Sequence, residues 1–366
     1  MNAFGLKLLA DLSANKPQQN VFISPLSVFA ALAMTETGSA GETSAAMRRV
    51  LAVPPAEDET EFHSSTSALL KSLKAQKDVT LSIANALWSD SKYPLSSDFM
   101  QRCRMLYEAE ATTLNFAEPA AAKTINAWVN RNTHGKIPNI VDASQLRSAA
   151  AVLTNAVYFK GLWAEPFEKS ETQDRPFHLA NGQEKKVSMM HESPIADAYR
   201  SGKGFEAAVL PYKSSDPRSP GIVLIAVLPA KGTSPEAALA GINVKELYAS
   251  QAARLDLRLP KFTTDYSASL RPALEKLGMG IAFSGHADFK PMGSPNFYIS
   301  DVLHKTRLEV DEEGTVAAAA TSVMMAATAM RLEQPKTLVF DRPFGVLLYD
   351  TRSGAILFAG VIYDPS

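Results

Sequence analysis

Cysteine occurs once in the 366 residues, at Cys103, which excludes an intramolecular disulfide and any all-cysteine metal site. An excess of charge of one sign is missing too. The chain has 37 Lys and Arg against 38 Asp and Glu, a net charge of -1, so nothing draws it to nucleic acid or to a membrane surface. No apolar run reaches the roughly twenty residues that span a bilayer. Residues 1–20, MNAFGLKLLADLSANKPQQN, place Phe4, Leu8, Leu9 and Leu12 on one helical face, without a long apolar run and small-residue cleavage site. This reads as a folded amphipathic helix and not as a signal peptide. The protein would then be cytoplasmic, or extracellular if a signal had been removed.

Catalytic signatures are also absent. Around Ser39 the order Thr37-Gly38-Ser39-Ala40-Gly41 is one position out of register for a nucleophile elbow, and His191-Glu192 begins a zinc-protease motif without completing it. The six histidines, His63, His134, His178, His191, His286 and His304, lack ligand-like spacing, so neither a metal nor a cofactor is expected. Cys103 lies between Arg102 and Arg104, cations that lower a thiol pKa, but its first reading is a small helix residue. Lys71, Lys74 and Lys77 read first as a solvated helix face and only second as a polyanion site.

What is present is a large core: 46% of residues are apolar and 20% charged, with no linker, repeat or low-complexity tail. Helical periodicity runs through 3–13, 27–38, 43–52 and about 60–76. Strands 81–88 and 111–116 then flank a helical FMQRCRMLYEA, and a helix ends at Gly135. From about residue 150 strands dominate. GIVLIAVLP is apolar throughout, as for a strand buried on both faces, whereas ARLDLRLPKF alternates Leu255, Leu257 and Leu259 with Asp256 and Arg258. A helix is expected over about 267–277, and PFGVLLYD with AILFAGVI forms a buried hairpin. Early helices and late strands without strict alternation argue for a single α+β domain over 1–366, with antiparallel or mixed sheets.

One stretch fits neither half. EEGTVAAAATSVMMAATAMR, residues 312–331, has seventeen positions (314–330) without charge, proline or large aromatic. Its alanines favour helix and its lack of charge suits burial. It also meets the needs of a strand that enters a closed sheet: small side chains first, no proline and no charge to desolvate. With Thr315 facing inward, Ala317, Ala319, Thr321, Val323 and Met325 share its face.

Several blocks together resemble the serpin family: Asn20 to Ser27 (NVFISPLS), Thr154 to Trp163 (TNAVYFKGLW) with Phe167, Val187-Ser188-Met189-Met190, Leu259-Pro260-Lys261-Phe262, His304-Lys305, Glu312-Glu313-Gly314-Thr315 and Asp341-Arg342-Pro343-Phe344. They occur in family order over nearly the whole chain. The resemblance implies eight or nine helices around three β-sheets, with a large central sheet A and an exposed reactive-centre loop at about 312–336. It implies no enzyme and no cofactor, but a monomeric suicide-substrate inhibitor of serine endopeptidases, with cysteine proteases as a further target class and polymerisation on destabilisation. The alternative is a non-inhibitory binding or chaperone-like serpin. The hinge would be Glu312, Glu313, Gly314, Thr315, Val316, Ala317, Ala318, Ala319, Ala320 and Thr321, Val316 departing from a common acidic residue. Ser24, Ser27, Asn155 and His304 match the shutter beneath the central sheet, and Trp163 matches the breach where insertion begins. Counting from Glu312 puts the scissile bond at Thr328-Ala329. Counting back from Pro343-Phe344 moves it toward Arg331-Leu332, with Met330 third. The corresponding proteases are elastase- or subtilisin-like, trypsin-like and chymotrypsin-like.

Overall fold

In a computed structural model the described residues are 1–216, 221–294, 296–315 and 334–366. The amphipathic start is helix α1 (Asn2–Ala14), which buries Phe4, Leu8, Leu9 and Leu12. Strand β1 (Val21–Ile23) leads into α2 (Pro25–Glu36), where the Ser24 hydroxyl accepts the Ser27 N–H and Pro25 occupies a first-turn position that has no N–H to satisfy. All of α2 is buried, so it crosses the interior instead of lining the surface. Next come α3 (Gly41–Val50), α4 (Glu59–Lys74), β2 (Val79–Asp90), α5 (Ser97–Tyr107), β3 (Glu110–Leu114), α6 (Pro119–Asn132), α7 (Ala143–Leu146) and β4 (Ala151–Leu162). The strand-rich part holds β5 (Gln173–His178), β6 (Glu184–Gly202), β7 (Phe205–Pro211), β8 (Ile222–Pro229), α8 (Pro235–Ala240), α9 (Val244–Ala249), β9 (Ala253–Pro260) and β10 (Phe262–Ser269). It closes with α10 (Arg271–Leu274), β11 (Asp301–Val310), β12 (Gly314–Thr315), β13 (Lys336–Val339), β14 (Phe344–Asp350) and β15 (Ala355–Ile362).

Ten α-helices therefore form among the described residues, the single turns α7 and α10 taking the number past eight or nine. The resemblance counts three sheets, and hydrogen bonding joins the described strands into two. One runs β1-β15-β14-β8-β7-β6-β9-β13 with β5 on β6. Its continuity comes from the nineteen-residue β6, which pairs with β5 near one end, β7 at the other and β9 between. The other, central sheet runs β10-β11-β4-β2-β3, with β12 on β4.

The helix expected over 267–277 is corrected by the structure. Ser267, Ala268 and Ser269 belong to β10, opposite Lys305, His304 and Leu303, and only Arg271–Leu274 is α-helical before a π-turn over Glu275–Met279. Pairing with a neighbouring strand outweighs local helix propensity there.

Strand β4 is buried on both faces. Leu153, Val157 and Phe159 join the main core, whereas Val152 and Ala156 meet the apolar face of α6. This explains why TNAVYF reads as a nearly continuous apolar run.

Candidate functional site

The centre of the second sheet contains a fork. Strands β4 and β11 run parallel and pair from Val152 with Asp301 to Tyr158 with Arg307. Beyond that point they separate, and β12 lies antiparallel to β4 between them, Gly314 opposite Leu162 and Thr315 opposite Gly161. A strand continuing from β12 would be antiparallel to both walls, the arrangement in which a short turn feeds it directly.

That turn is built by Asp311. Its Oδ1 accepts the N–H groups of Glu313 at 2.9 Å and Gly314 at 3.2 Å. Gly314 has φ of 144°, and a Cβ placed on it would stand 2.3 Å from the carbonyl oxygen of Gly161, so glycine alone fits both the backbone angle and the space. Trp163 is buried, donates its Nε1–H to the Asp311 carbonyl at 2.9 Å and stacks on Tyr212 with ring centres 4.6 Å apart. Tyr212 Oη in turn lies 2.8 Å from Thr315 Oγ1, and Thr315 is fully buried and inward-facing, as its place in the alternation required.

The acidic pair ahead of Gly314 is anchored from outside the sheet. Thr172 Oγ1 donates to Glu312 at 2.8 Å, and Lys261 Nζ lies 2.8 Å from its other oxygen. Burial alone would raise the Glu312 carboxyl; Lys261 and Thr172 outweigh it and hold the group below the usual range. Glu313 pairs with Lys169.

Beneath the seam, Ser24, Ser27, Asn155 and His304 come together as one buried network. Asn155 and His304 are opposite each other in the β4–β11 register, and His304 Nδ1 bonds Asn155 Oδ1. The Asn155 amide donates to Ser27 Oγ and to Asn85 Oδ1, and Ser24 Oγ donates to Leu357 O at 2.6 Å. The Ser24 N–H points at His304 Nε2 at 3.2 Å, which requires that nitrogen to accept and places the ring proton on Nδ1. Burial accordingly pushes the His304 imidazole from 6.5 down to about 3.

This has a pH consequence with a defined sign. Below pH 6.5 the unfolded chain takes up a proton that folded His304 refuses, so stability is full above that value and falls as pH drops toward 3. The slope is about 1.4 kcal/mol per pH unit, or about 2 kcal/mol lost by pH 5. Urea unfolding should show a smaller drop between pH 7 and pH 5 in His304→Gln than in the unaltered protein; equal drops would contradict the assignment.

Asn85, Asp311, Tyr212, Lys261 and Thr172 were not singled out as site residues in the sequence. Asn85 had a signal, a polar residue inside the apolar strand LSIANALW, and Lys261 stood in the block Leu259-Pro260-Lys261-Phe262. Val316, Ala317, Ala318, Ala319, Ala320 and Thr321 of the expected hinge, and Thr328, Ala329, Met330, Arg331 and Leu332, lie outside the described residues. Elsewhere Cys103 is buried and its thiol is pushed up to about 12, so the flanking arginines do not activate it. Lys74 pairs with Glu108 at 2.8 Å. No cluster of three or more His, Cys, Asp or Glu is placed to hold a metal among the described residues.

The family model for serpins (serine protease inhibitor) matches residues 1–365. Serine protease inhibitor A3L of Rattus norvegicus is 35% identical over 99% of this chain and 87% of its own. Leukocyte elastase inhibitor of Bos taurus is 34% identical over 99% of this chain and 97% of its own. The crystal structure of human thyroxine-binding globulin complexed with thyroxine superposes with a TM-score of 0.89 at 27% identity, covering 100% of this chain and 97% of that one. With residues 1–365 matched by the family model and two relatives above 30% identical over nearly all of this chain, the chain belongs to the serpin family.

Proposed function

We propose that this serpin is an irreversible suicide-substrate inhibitor of serine endopeptidases. The observation that carries the reading is β12: the first two residues of an added strand already sit between β4 and β11, with Thr315 buried. The two pairs fix a register, one residue up for each residue down. Continued along β4 it brings Thr321 opposite Asn155 and Met325 opposite Ala151, so 316–325 would complete the seam. At roughly 0.5–1.5 kcal/mol net per hydrogen bond, those ten residues supply on the order of 10 kcal/mol before any apolar burial.

Cleavage is what releases this energy. Strand β13, after the loop, pairs with β9, and β9 leads through Pro260 to Lys261 beside Glu312, so both ends of the loop attach at the same end of the molecule. With Met325 at the far end, the eleven steps to Lys336 reach about 37 Å at full stretch, against about 33 Å along β4 plus the sideways return. An intact loop has no slack; a cut one needs none. A protease held as an acyl-enzyme at the cut would be carried along and trapped. Ser24, Ser27, Asn155 and His304 then act as the shutter and Trp163 as the breach. Thr328-Ala329 is the first choice of scissile bond, three residues past Met325 and therefore close behind the inserted strand. Arg331-Leu332 and Met330 follow.

The second reading, a binding serpin without inhibition, is favoured by the likeness to thyroxine-binding globulin. Incubation with elastase, subtilisin, chymotrypsin and trypsin, followed by a denaturing gel, separates the two. A covalent band of enzyme plus inhibitor is expected with at least one; cleavage in the loop without such a band would overturn the inhibitory reading.

A further inference from the structure

A side chain from the larger sheet reaches into the fork. Tyr212 directly follows β7, yet its ring lies against the end of β4. Backbone bonds on either side fix it there, Ala164 N–H donating to Pro211 O at 2.9 Å and Lys213 N–H to Leu162 O at 2.8 Å. The ring stacks on Trp163 and meets Phe159 edge-on, with those ring centres 5.0 Å apart. Gly161 makes room for it, since a Cβ at that position would stand 2.7 Å from Tyr212 Cδ1. Gly161 is also the residue opposite Thr315. The strand position that accepts Thr315 is thus the one against which the ring is laid.

The hydroxyl at the end of this ring has a single use. Among the described residues Tyr212 Oη bonds only Thr315 Oγ1, at 2.8 Å, and Thr315 Oγ1 bonds only Tyr212. Burial pushes the Tyr212 phenol up and keeps it neutral, so either hydroxyl can donate. When Thr315 leaves the fork, a buried hydroxyl that cannot turn to solvent loses its partner, which disfavours the empty state. The two pairs of β12 are held in place by more than their own backbone bonds.

On the insertion reading above, we propose that Tyr212 is a positioning residue for trapping: its hydroxyl clasps Thr315, so that β12 is in register before the loop is cut. The entropy of bringing the strand to the fork is then spent in advance, and insertion only has to continue. Without the clasp β12 spends more time outside the fork. A foreign strand enters more readily, while the protein's own strand starts later.

The test reads both effects on the full chain. Uptake of a synthetic acetylated peptide, TVAAAATSVMM, the sequence of residues 315–325, is followed on native gels. Trapping is read as covalent band against cleaved protein, with whichever of the four proteases gives a band. Tyr212→Phe keeps the ring and removes one hydroxyl; Thr315→Val keeps the shape and removes the other. Each should take up the peptide about fivefold faster, because β12 must leave before the peptide enters, and each should lose trapping relative to cleavage by a similar factor. In the double variant no hydroxyl is left without a partner, so both readouts should return to within about twofold of the unaltered protein. A general loss of packing would instead add up in the double variant. Additive effects there, single variants that match the unaltered protein, or faster uptake without loss of trapping would each overturn the clasp. Thr315→Val carries the test if Tyr212→Phe does not fold, since it must show both effects. If the unaltered protein traps no protease, the inhibitory reading fails and the clasp with it; normal trapping with unresponsive variants removes the clasp alone.

Discussion

Replacing Thr315 with arginine is expected to turn the proposed inhibitor into a substrate. The side chain sits in the fork with no exposed surface, its hydroxyl 2.8 Å from Tyr212 and its backbone opposite Gly161. A guanidinium there has no acidic partner among these contacts, and an unpaired buried charge costs several kcal/mol. In the intact protein β12 is held by only two pairs and can leave the fork with the arginine, so the penalty falls on the entry of the strand; the cutting of the loop is spared because residues near the scissile bond are untouched. Cleavage should therefore proceed at its normal rate while the covalent band falls at least about tenfold, the equivalent of about 1.4 kcal/mol in the partition between trapping and release. Thr315→Ser, which keeps the hydroxyl, should retain the band. A full covalent band in Thr315→Arg would mean that the strand does not enter here.

The second large effect is expected for Asn155→Ala. Asn155 accepts from His304 across the seam and donates to Ser27 and Asn85 on its own side. Alanine leaves the His304 Nδ1–H buried without an acceptor and removes one donor from Ser27, a loss of about 3 kcal/mol. Because Asn155 and His304 are directly opposed in the β4–β11 register, the loss falls on the closure of the seam as well as on the core. A lower heating midpoint and a ladder of polymers on native gels after incubation just below it are the expected signs. An unchanged heating profile would count against the shutter assignment.

How far the site was legible depended on distance along the chain. The alternation that turns Thr315 inward and the need for Gly314 are local, and the structure places both residues accordingly. Asn155 and His304 are 149 positions apart, and no periodicity in either strand points to the other; only the likeness of both blocks to one family joined them. Tyr212 and Thr172 were invisible, and Lys261 stood in a family block without a role, because their roles follow from where loops and strand ends meet. The missed boundary near Ser267 has the same cause. A stretch whose own propensity is helical was claimed by its neighbour β11. Two of the three expected sheets are joined into one through the long strand β6, whose composition gave no hint that it would pair at both ends.

The order of strands in the larger sheet also bears on how the protein is made. Two of its interior members, β14 and β15, come from residues 344–362, and β15 pairs with β1 from residues 21–23. Asn2 and Asn20 fasten the same region, the first bonding Gly354 and Ile356 and the second Tyr363. A ribosome must therefore release residue 362 before the core can close, while the alanine-rich segment has already emerged. Pairings of such long sequence separation form slowly, and exposed apolar strands wait meanwhile. Chaperone demand and yield on expression should be governed by the terminal hairpin more than by the alanine-rich segment.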